Sequence, residues 1–368
     1  MAKLYSRVGH GLRELLVHAS RVTQPSRGLR RVVVFAGDSG PGGSGDLRAG
    51  AVARALRGMG WRTVLVPPNL ELHQRLRVLK AENPDVILLQ QSRHPLNRPR
   101  FYPGTPCVFD ADDADILDPS CAEDVIECCR DSTAVVAGSR FLAEQFRPYN
   151  PEVVVVWTGT YLKPSAGLVP SDRREPIVAW GHSAPLGYPL EAELVRTLVL
   201  QLAERTRFSF HLYGVPDDRR REVEGYLAPI RRSGIPVRTF RPLPYRQFVR
   251  SLGAAAVGLH PVCTDNPFSK GKSFGKLLAY LAADVAVVTS NAVDHPLFFR
   301  SGGNGILVDG DVDSWVEACE RLLTHPAIRR RMVEDARVDF LQRLTTERSA
   351  GLVNRQLQRA LELKPVKP

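Results

Sequence analysis

The 368-residue sequence predicts an α/β protein made of two Rossmann-like halves. Short apolar segments alternate with amphipathic segments along nearly the whole chain, as in parallel strands covered by helices. The alternation stops in a stretch rich in proline, glycine and charge at 160–175 and then restarts. The length suits two domains that each bury a core of their own.

The first half opens with a β-favouring run at 32–36, a glycine-rich loop and a helix at 47–59. Further strands are predicted at 62–66, 85–89, 107–109, 133–136 and 153–157. Further helices are predicted at 70–80, 121–130 and 140–146. This order predicts a parallel, doubly wound sheet.

The second half repeats the pattern, with a closing pair of helices at 313–324 and 328–347. Its strands are predicted at 177–181, 209–213, 237–239, 255–259, 285–288 and 304–308. Its other helices are predicted at 190–206, 219–227 and 245–252. We therefore expect a basic N-terminal segment at 1–30, Rossmann-like domains at 31–165 and 166–345, and a C-terminal helix and tail at 346–368.

The chain is basic, with 50 Lys and Arg against 39 Asp and Glu and a net charge of +11. Residues 1–31 carry seven basic side chains and one acid, Glu14. Apolar residues recur there at helical spacing: Leu4, Val8, Leu12, Leu15, Leu16 and Ala19. Such a helix could lie on an anionic membrane surface, or it could pack on the core with its arginines outward. The sequence leaves both possibilities open.

Several classes of protein do not fit the composition. No run of about 18 apolar residues is present, so no membrane span is predicted. The six cysteines lack zinc-site spacing, which favours reduced thiols and a cytoplasmic location. Basic residues are dispersed and not interleaved with aromatic residues, so we expect no nucleic-acid partner.

The segment 261–296 carries the strongest functional signal. Lys270, Lys272, Ser273 and Lys276 precede or begin a predicted helix, whose first N–H groups have no partner within the helix. The ammonium groups and the helix dipole would both favour a bound phosphate. From spacing alone, a solvated basic helix start remains an alternative.

Gly271-Lys272-Ser273 also has the form of the end of a Walker phosphate-binding loop, but the spacing argues against one. That motif needs a glycine five positions before Gly271, where this chain has Asn266. It also needs a hydrophobic strand leading directly into the loop, and none precedes it here.

The same segment resembles the donor-site region of GT-B nucleotide-sugar glycosyltransferases of the glycogen-synthase-like, group 1 superfamily. The pattern of that subgroup is roughly Pl.D..F...KS..K..EY.A.G.PVV.S. The matching residues are Pro261, Asp265, Phe268, Lys272, Ser273, Lys276, Tyr280, Ala282, Val287, Val288 and Ser290. The resemblance extends over residues 30–360 and implies two Rossmann-like domains with an interdomain cleft. It also implies that Lys270, Lys272, Ser273 and Lys276 bind the donor diphosphate.

The chain departs from that pattern at three positions. Ala279 stands where the family has the acid that holds the ribose hydroxyls of the nucleotide. Asp284 and Ala286 replace the usual glycine and proline. The chain therefore keeps the lysines that face the phosphates and lacks the ribose contact.

An acidic run, Asp110 to Asp115, follows the predicted strand 107–109. Its carboxylates should lie at the carboxyl end of a strand, where α/β proteins bind ligands. Neighbouring carboxylates suit a general base or a clamp for an acceptor hydroxyl, and their oxygens could also hold a divalent cation. The resembled subgroup has D-x-D-D here, which marks Asp110, Asp112 and Asp113 as catalytic candidates. Helix-capping aspartates are the structural alternative.

Two loops complete the candidate site. The glycine-rich loop 37–45 lacks a G-x-G-x-x-G dinucleotide motif, but in GT-B proteins it faces the cleft, which marks Gly43, Gly45, Asp46 and Arg48 as candidates. A flexible surface loop is the alternative. His182 and Ser183 follow the first strand of the second half, and the resemblance implies that they face the donor phosphates. A structural role for His182 is the alternative.

The resemblance implies a retaining, hexosyltransferase-like enzyme of polysaccharide biosynthesis, which moves a sugar from a nucleotide diphosphate to a glycan or lipid-linked acceptor. The lysines would neutralise the leaving diphosphate, so we expect neither a metal nor a cofactor beyond the nucleotide sugar. Ala279 favours an alternative, a non-catalytic GT-B scaffold or partner subunit of another glycosyltransferase.

Overall fold

The computed structural model describes residues 2–24, 29–38, 43, 45–164, 169–182 and 184–363, with side chains from residue 11 on. The chain forms two compact units. The first unit comprises Met1–Tyr161, Gly271–Ser273 and Thr346–Pro368. The second unit comprises Leu162–Lys270 and Phe274–Thr345.

The first unit contains a six-stranded sheet with the order β2-β1-β3-β4-β5-β6. Its strands are β1 (Arg30–Phe35), β2 (Trp61–Val66), β3 (Val86–Gln90), β4 (Cys107–Ala111), β5 (Ala134–Ala137) and β6 (Val153–Val155). Its helices include α1 (Ala2–Val22), α2 (Ala51–Arg57), α3 (Leu72–Glu82), α4 (Ala122–Asp131) and α5 (Arg140–Phe146). Every neighbouring pair of strands is parallel.

The second unit also contains six parallel strands, in the order β12-β11-β10-β7-β8-β9. Its strands are β7 (Ile177–Gly181), β8 (Ser209–Tyr213), β9 (Val237–Phe240), β10 (Val257–His260), β11 (Ala286–Ser290) and β12 (Ile306–Val308). Its helices are α6 (Pro189–Arg205), α7 (Arg220–Arg232), α8 (Tyr245–Leu252), α9 (Leu277–Ala282), α10 (Val312–Thr324) and α11 (Pro326–Arg343). The predicted α/β class and the parallel, doubly wound sheets are confirmed.

The end of the chain has the two helices that the sequence predicts, with slightly different bounds. The helix predicted at 328–347 is α11, which ends at Arg343, and the helix predicted within 346–368 is α12, which runs from Thr346 to Glu362. The Thr346 N–H donates to the carbonyl oxygen of Thr160 at 3.0 Å, so the chain is held to the first unit where α12 begins. Helix α12 then packs into the core of that unit through Ala350, Val353 and Leu357.

The apolar runs form strands because both faces of a parallel sheet are covered by helices. In the first unit Val32, Val34 and Leu88 are fully buried, and Ala53 and Leu56 of α2 pack in the same core. None of the described helices is long and apolar enough to cross a bilayer.

Tyr280 holds the centre of the second unit together. Its hydroxyl accepts the N–H of Gly181 at 2.7 Å and lies 3.1 Å from the carbonyl oxygen of Leu259, so it links β7 to β10. A β-carbon at Gly258 would lie 2.5 Å from the Tyr280 ring, so this position needs glycine. Burial raises the pKa of Tyr280 and keeps the hydroxyl neutral.

We expect Tyr280→Phe to destabilise the protein by about 1–3 kcal/mol, because the buried Gly181 N–H loses its acceptor. The free energy of unfolding from urea denaturation measures this. Tyr149→Phe, at a partly exposed tyrosine after α5, is the control and should change it by less than about 0.5 kcal/mol. A Tyr280→Phe variant as stable as the control would contradict the role given to this hydroxyl.

Candidate functional site

Each sheet has one place where the strand order reverses. In the first unit β1 lies between β2 and β3, and in the second unit β7 lies between β8 and β10. Open parallel sheets bind ligands at the carboxyl ends of the strands beside such a reversal. The fold therefore favours ligand binding by the segments that follow β1, β3, β7 and β10.

In the second unit the fold brings together two of the predicted donor-site residues. His182 follows β7 directly and Lys276 directly precedes α9, 94 positions later in the chain. The Lys276 Nζ atom lies 2.8 Å from His182 Nε2. The aromatic ring of Tyr188 flanks both, with its centroid 5.6 Å from Lys276 Nζ and 4.6 Å from the His182 ring centroid.

The hydrogen bonds of His182 decide which of its nitrogens carries the proton. Its Nδ1 accepts the backbone N–H of Ala184 at 3.0 Å, so the neutral ring carries its hydrogen on Nε2. The atom that faces Lys276 is then a donor, as is a charged ammonium group. A phosphate oxygen placed beside both groups could accept a hydrogen bond from each.

The remaining residues of the lysine segment are placed differently from the prediction. Helix α9 begins only at Leu277 and has six residues, so Lys272 and Ser273 precede the helix by several residues and are not part of its first turn. Lys270 is exposed in a 3-10 turn, Pro267–Gly271, while Lys272 is half-buried and Ser273 is buried. Any anion site here rests on side chains, because six residues give little helix dipole.

The segment Gly271–Ser273 belongs to the first unit. A β-carbon at Gly271 would lie 2.7 Å from Cβ of Ala114, within the acidic run, so glycine allows this close approach. Lys272 and Ser273 are thus described with the first unit, whereas Lys270, Lys276 and His182 belong to the second. Ser183 lies outside the described residues.

Sequence reasoning missed the residue that holds the loop after β10. Glu191, in the first turn of α6, is almost fully buried. Its Oε1 accepts the N–H of Cys263 and the hydroxyl of Ser269, both at 3.2 Å. An acid in a first helical turn was visible in the sequence, but its partners are more than seventy positions away.

A pair of buried histidines lies under the same loop. The ring centroids of His260 and His295 are 5.1 Å apart, and Thr289 Oγ1 lies within 3.2 Å of the Nδ1 atom of each. Phe274, two residues before Lys276, packs on His295 with ring centroids 5.8 Å apart. We therefore interpret these histidines as packing beneath the lysine segment.

In the first unit, Asp110 lies inside β4. The strand predicted at 107–109 had placed Asp110 just beyond its end. Asp110 is buried and forms an ion pair with Arg48, whose Nε lies 3.1 Å from Asp110 Oδ1. Arg48 Nη1 also donates to the carbonyl oxygen of Val156 at 2.9 Å and to Thr158 Oγ1 at 3.0 Å. The pair therefore joins three segments of this unit, and both side chains have protein partners.

Burial affects the two charges of this pair in the expected directions. It raises the pKa of Asp110, and the Arg48 charge opposes that rise. It lowers the pKa of Arg48, but the charges of Asp110 and Asp112 outweigh this effect and raise the pKa above its usual value. A buried guanidinium with a carboxylate beside it stays charged.

Asp112 and Asp113 stand just beyond β4, as predicted for ligand-facing carboxylates. Gln91 Nε2 donates to Asp112 Oδ1 at 2.7 Å, and Arg93 Nη2 lies 3.1 Å from Asp113 Oδ2. Burial raises the pKa of Asp113 to about 6, the charge of Asp112 adds to the rise, and Arg93 opposes it. Gln91 has a φ of +58°, a conformation costly for a non-glycine residue, which is common at functional sites.

The glycine-rich loop leads into one turn of π-helix, Gly45–Gly50, which continues as α2. Gly43 accepts the Leu47 N–H at 3.0 Å. A β-carbon at Gly45 would lie 2.2 Å from the carbonyl oxygen of Asp38, so only glycine fits. Asp46 accepts the hydroxyl of Tyr161 at 2.9 Å. Arg48, the last of the four candidates from this loop, is buried in the ion pair with Asp110 and does not line an open surface.

Two buried polar groups near the acidic run were not predicted. Gln90 ends β3 and accepts the Gly37 N–H at 2.8 Å through Oε1, while its Nε2 has no partner among the described residues. The hydroxyl of Ser92, two residues on, is equally buried and unpartnered there. Both are small polar groups that a hydroxyl-rich molecule could satisfy. Within the described residues, no group of three or more His, Cys, Asp or Glu side chains could hold a metal ion.

The chain is similar to known glycosyltransferases in part of its sequence and in its fold. Residues 192–353 match a family model described as Glycosyl transferase-like. Comparison with curated proteins found no match. The match to the family model covers the larger part of the second unit and the beginning of α12.

Solved structures share the fold over nearly the whole chain. Sucrose-phosphate synthase from Thermosynechococcus elongatus is 16% identical with a TM-score of 0.68, over 90% of this chain and 100% of that chain. HepE from Anabaena, solved with UDP and glucose, is 13% identical with a TM-score of 0.67, over 89% and 99%. A glycosyltransferase from Rickettsia africae is 11% identical with a TM-score of 0.68, over 92% and 100%. The GT-B fold that the sequence implied is therefore confirmed.

We expect Asp110→Asn and Arg48→Met each to destabilise the protein by about 3–5 kcal/mol, because each leaves a buried charge without its partner. The double variant should be much less destabilised than the sum of the two, since it removes both charges. Urea denaturation of all four proteins measures the coupling. Additive effects would show that the two charges do not stabilise each other.

The raised pKa of Asp113 predicts a slope of stability with pH. Its folded-state pKa of about 6 exceeds the unfolded value near 4, so its contribution is present at low pH and is lost as the pH rises from about 4 to about 6. The Asp113→Asn variant should therefore gain stability relative to wild type between pH 4.5 and 6.5.

Asp118→Asn is the matched control for this measurement. The N–H and hydroxyl of Ser120 lower the pKa of Asp118, so its removal should give little slope above about pH 5. Urea denaturation at several pH values compares the three proteins. Equal slopes for both variants would contradict the raised pKa of Asp113.

Proposed function

We propose that this protein is a glycosyltransferase that transfers a sugar from a nucleotide diphosphate to a hydroxyl of a glycan or lipid-linked acceptor. The observation that carries the proposal is the pair formed by His182 Nε2 and Lys276 Nζ at the strand reversal of the second unit. The Lys276 ammonium group and the His182 N–H lie side by side, so both can donate to one diphosphate oxygen. The Glycosyl transferase-like match over 192–353 and the neighbour solved with UDP and glucose support the same ligand class.

The chemistry follows from charge. The bond between the anomeric carbon and the diphosphate breaks, and the diphosphate gains negative charge as it leaves. Lys276 and the His182 N–H would stabilise that charge more in the transition state than in the ground state. With the Lys276 cation and the His182 N–H at the leaving group, the reaction would need no bound metal at the diphosphate. We further propose retention at the anomeric carbon, as in most of the resembled group.

Among the described residues of the first unit, the acidic run carries the candidates for proton transfer. The acceptor hydroxyl loses its proton when it forms the new bond, and a carboxylate with a pKa of about 6 is well matched to take that proton near neutral pH. We therefore propose Asp113 as the general base and Asp112 as a hydroxyl clamp. Asp110 is assigned a positioning role, since Arg48 already occupies its oxygens.

A non-catalytic scaffold is the second candidate function, and Ala279 is the observation that favours it. Ala279 is buried within α9, in the position where the resembled family carries its ribose-binding acid. A scaffold could still bind a nucleotide sugar. Binding and transfer must therefore be measured separately.

We expect Lys276→Ala to weaken binding of a nucleoside diphosphate by about ten- to a hundredfold, because one charge-assisted contact to phosphate is lost. Titration calorimetry with UDP, GDP and ADP measures this, and thermal stabilisation by the matching nucleotide sugars identifies the donor. Lys80→Ala, on α3 of the first unit, is the control and should bind as wild type does.

The outcomes separate the two candidate functions. Binding that Lys276→Ala weakens, together with release of the diphosphate from the nucleotide sugar, supports the transferase. Binding with no release of diphosphate in the presence of any acceptor supports the scaffold. No binding of any of the nucleotides, or equal binding by both lysine variants, would overturn the donor site.

A further inference from the structure

Helix α1 presents its apolar side to solvent. The side chains of Leu12, Leu15, Leu16 and Val22 are between 59% and 72% exposed, and Ala19 between them is exposed as well. These five residues, which we call the apolar stripe, recur at spacings of one to four residues and so share one side of the helix. The sequence repeats the same spacing upstream at Leu4 and Val8.

The opposite side of α1 is fixed to the first unit mainly by polar contacts. Glu14 accepts hydrogen bonds from Arg77 Nε at 2.7 Å and from Gln74 Nε2 at 3.0 Å, both on α3. Val17 is the one buried apolar side chain among those described for this helix. The amphipathic helix is thus docked by its polar side, the reverse of the usual arrangement for a surface helix.

The end of the helix is fixed in the same way. Arg62 of β2 donates to the carbonyl oxygens of Arg21 at 2.7 Å and of Gln24 at 2.6 Å. Gln24 Nε2 donates to the carbonyl oxygen of Thr63 at 2.8 Å. These contacts hold the last turn of α1 and the residues after it, so the stripe stays turned outward.

The charges around the stripe indicate what covers it. Residues 1–31 carry seven basic side chains and one acid, and that acid, Glu14, faces α3. Arg77 holds the pKa of Glu14 at about 2, so the Glu14 carboxylate is charged and is paired with an arginine of the same unit. Arg13 and Arg30 are exposed, and the whole chain has a net charge of +11.

We propose that α1 docks the protein on an anionic bilayer surface, with the apolar stripe at the boundary between headgroups and acyl chains. Exposed leucines on a basic helix are the combination that such surfaces bind. A second copy of the chain fits less well, because it would pair two segments that each carry seven basic side chains and one acid, so that like charges oppose each other. The proposal is independent of the nucleotide-sugar site, and it fits a lipid-linked acceptor.

Flotation of the full-length protein with vesicles tests the docking surface. One vesicle preparation is pure phosphatidylcholine, and the other contains about one third phosphatidylglycerol, so that anionic charge is the single difference between them. The stripe variant is Leu15→Gln/Leu16→Gln. The matched control is Val338→Gln/Leu341→Gln, two exposed apolar residues on α11 of the second unit.

Wild type and the control should float with the anionic vesicles, and binding should weaken as salt rises because the attraction between charges is screened. The partition coefficient of the stripe variant onto the anionic vesicles should be at least about tenfold lower than that of wild type, since two leucines no longer enter the bilayer. All three proteins should unfold at the same temperature, because the substituted side chains are exposed.

Three results would overturn the proposal. Equal binding of the stripe variant and wild type would exclude the stripe as the docking surface. Equal binding to both vesicle preparations would exclude recognition of anionic charge. If wild type is a dimer that does not bind vesicles, and the stripe variant is a monomer, then a second copy of the chain covers the stripe.

Discussion

Parallel pairing of every strand in both sheets is the constraint on which the arrangement of polar groups depends. It forces helices onto both faces, so the middle of each strand must be apolar and polar side chains gather where strands end. It also brings the carboxyl ends of all strands in a sheet to one edge. His182 follows β7 and the acidic run ends β4, so each lies at the carboxyl edge of its own sheet.

The acidic run shows how two residues of difference along a strand change the chemistry of a carboxylate. Asp110 is still within β4, so it is buried, and a buried carboxylate requires a cation. Asp112 and Asp113 lie past the end of the strand, where the partners are Gln91 and an arginine that is partly exposed. One residue therefore maintains the fold, while the other two lie where the proposed acid–base chemistry needs carboxylates.

Charge on the protein is divided in a similar way between internal pairing and outward presentation. Glu14 is the single acid of the first 31 residues, and its contacts with α3 remove it from the outer side of the helix. The two sides of α1 therefore differ in their surroundings. The polar side forms hydrogen bonds with the first unit, whereas the apolar side faces solvent.

The sequence by itself determined the α/β class, the two repeats, most elements to within a few residues, and the segments that carry charge. These follow from local periodicity and from turn residues, which are properties of short stretches. Tertiary structure decided which charges meet, since Arg48 and Asp110 are 62 positions apart and His182 and Lys276 are 94 apart. It also decided which side of α1 faces the protein, because the hydrophobic period gives the width of an apolar side and not its direction.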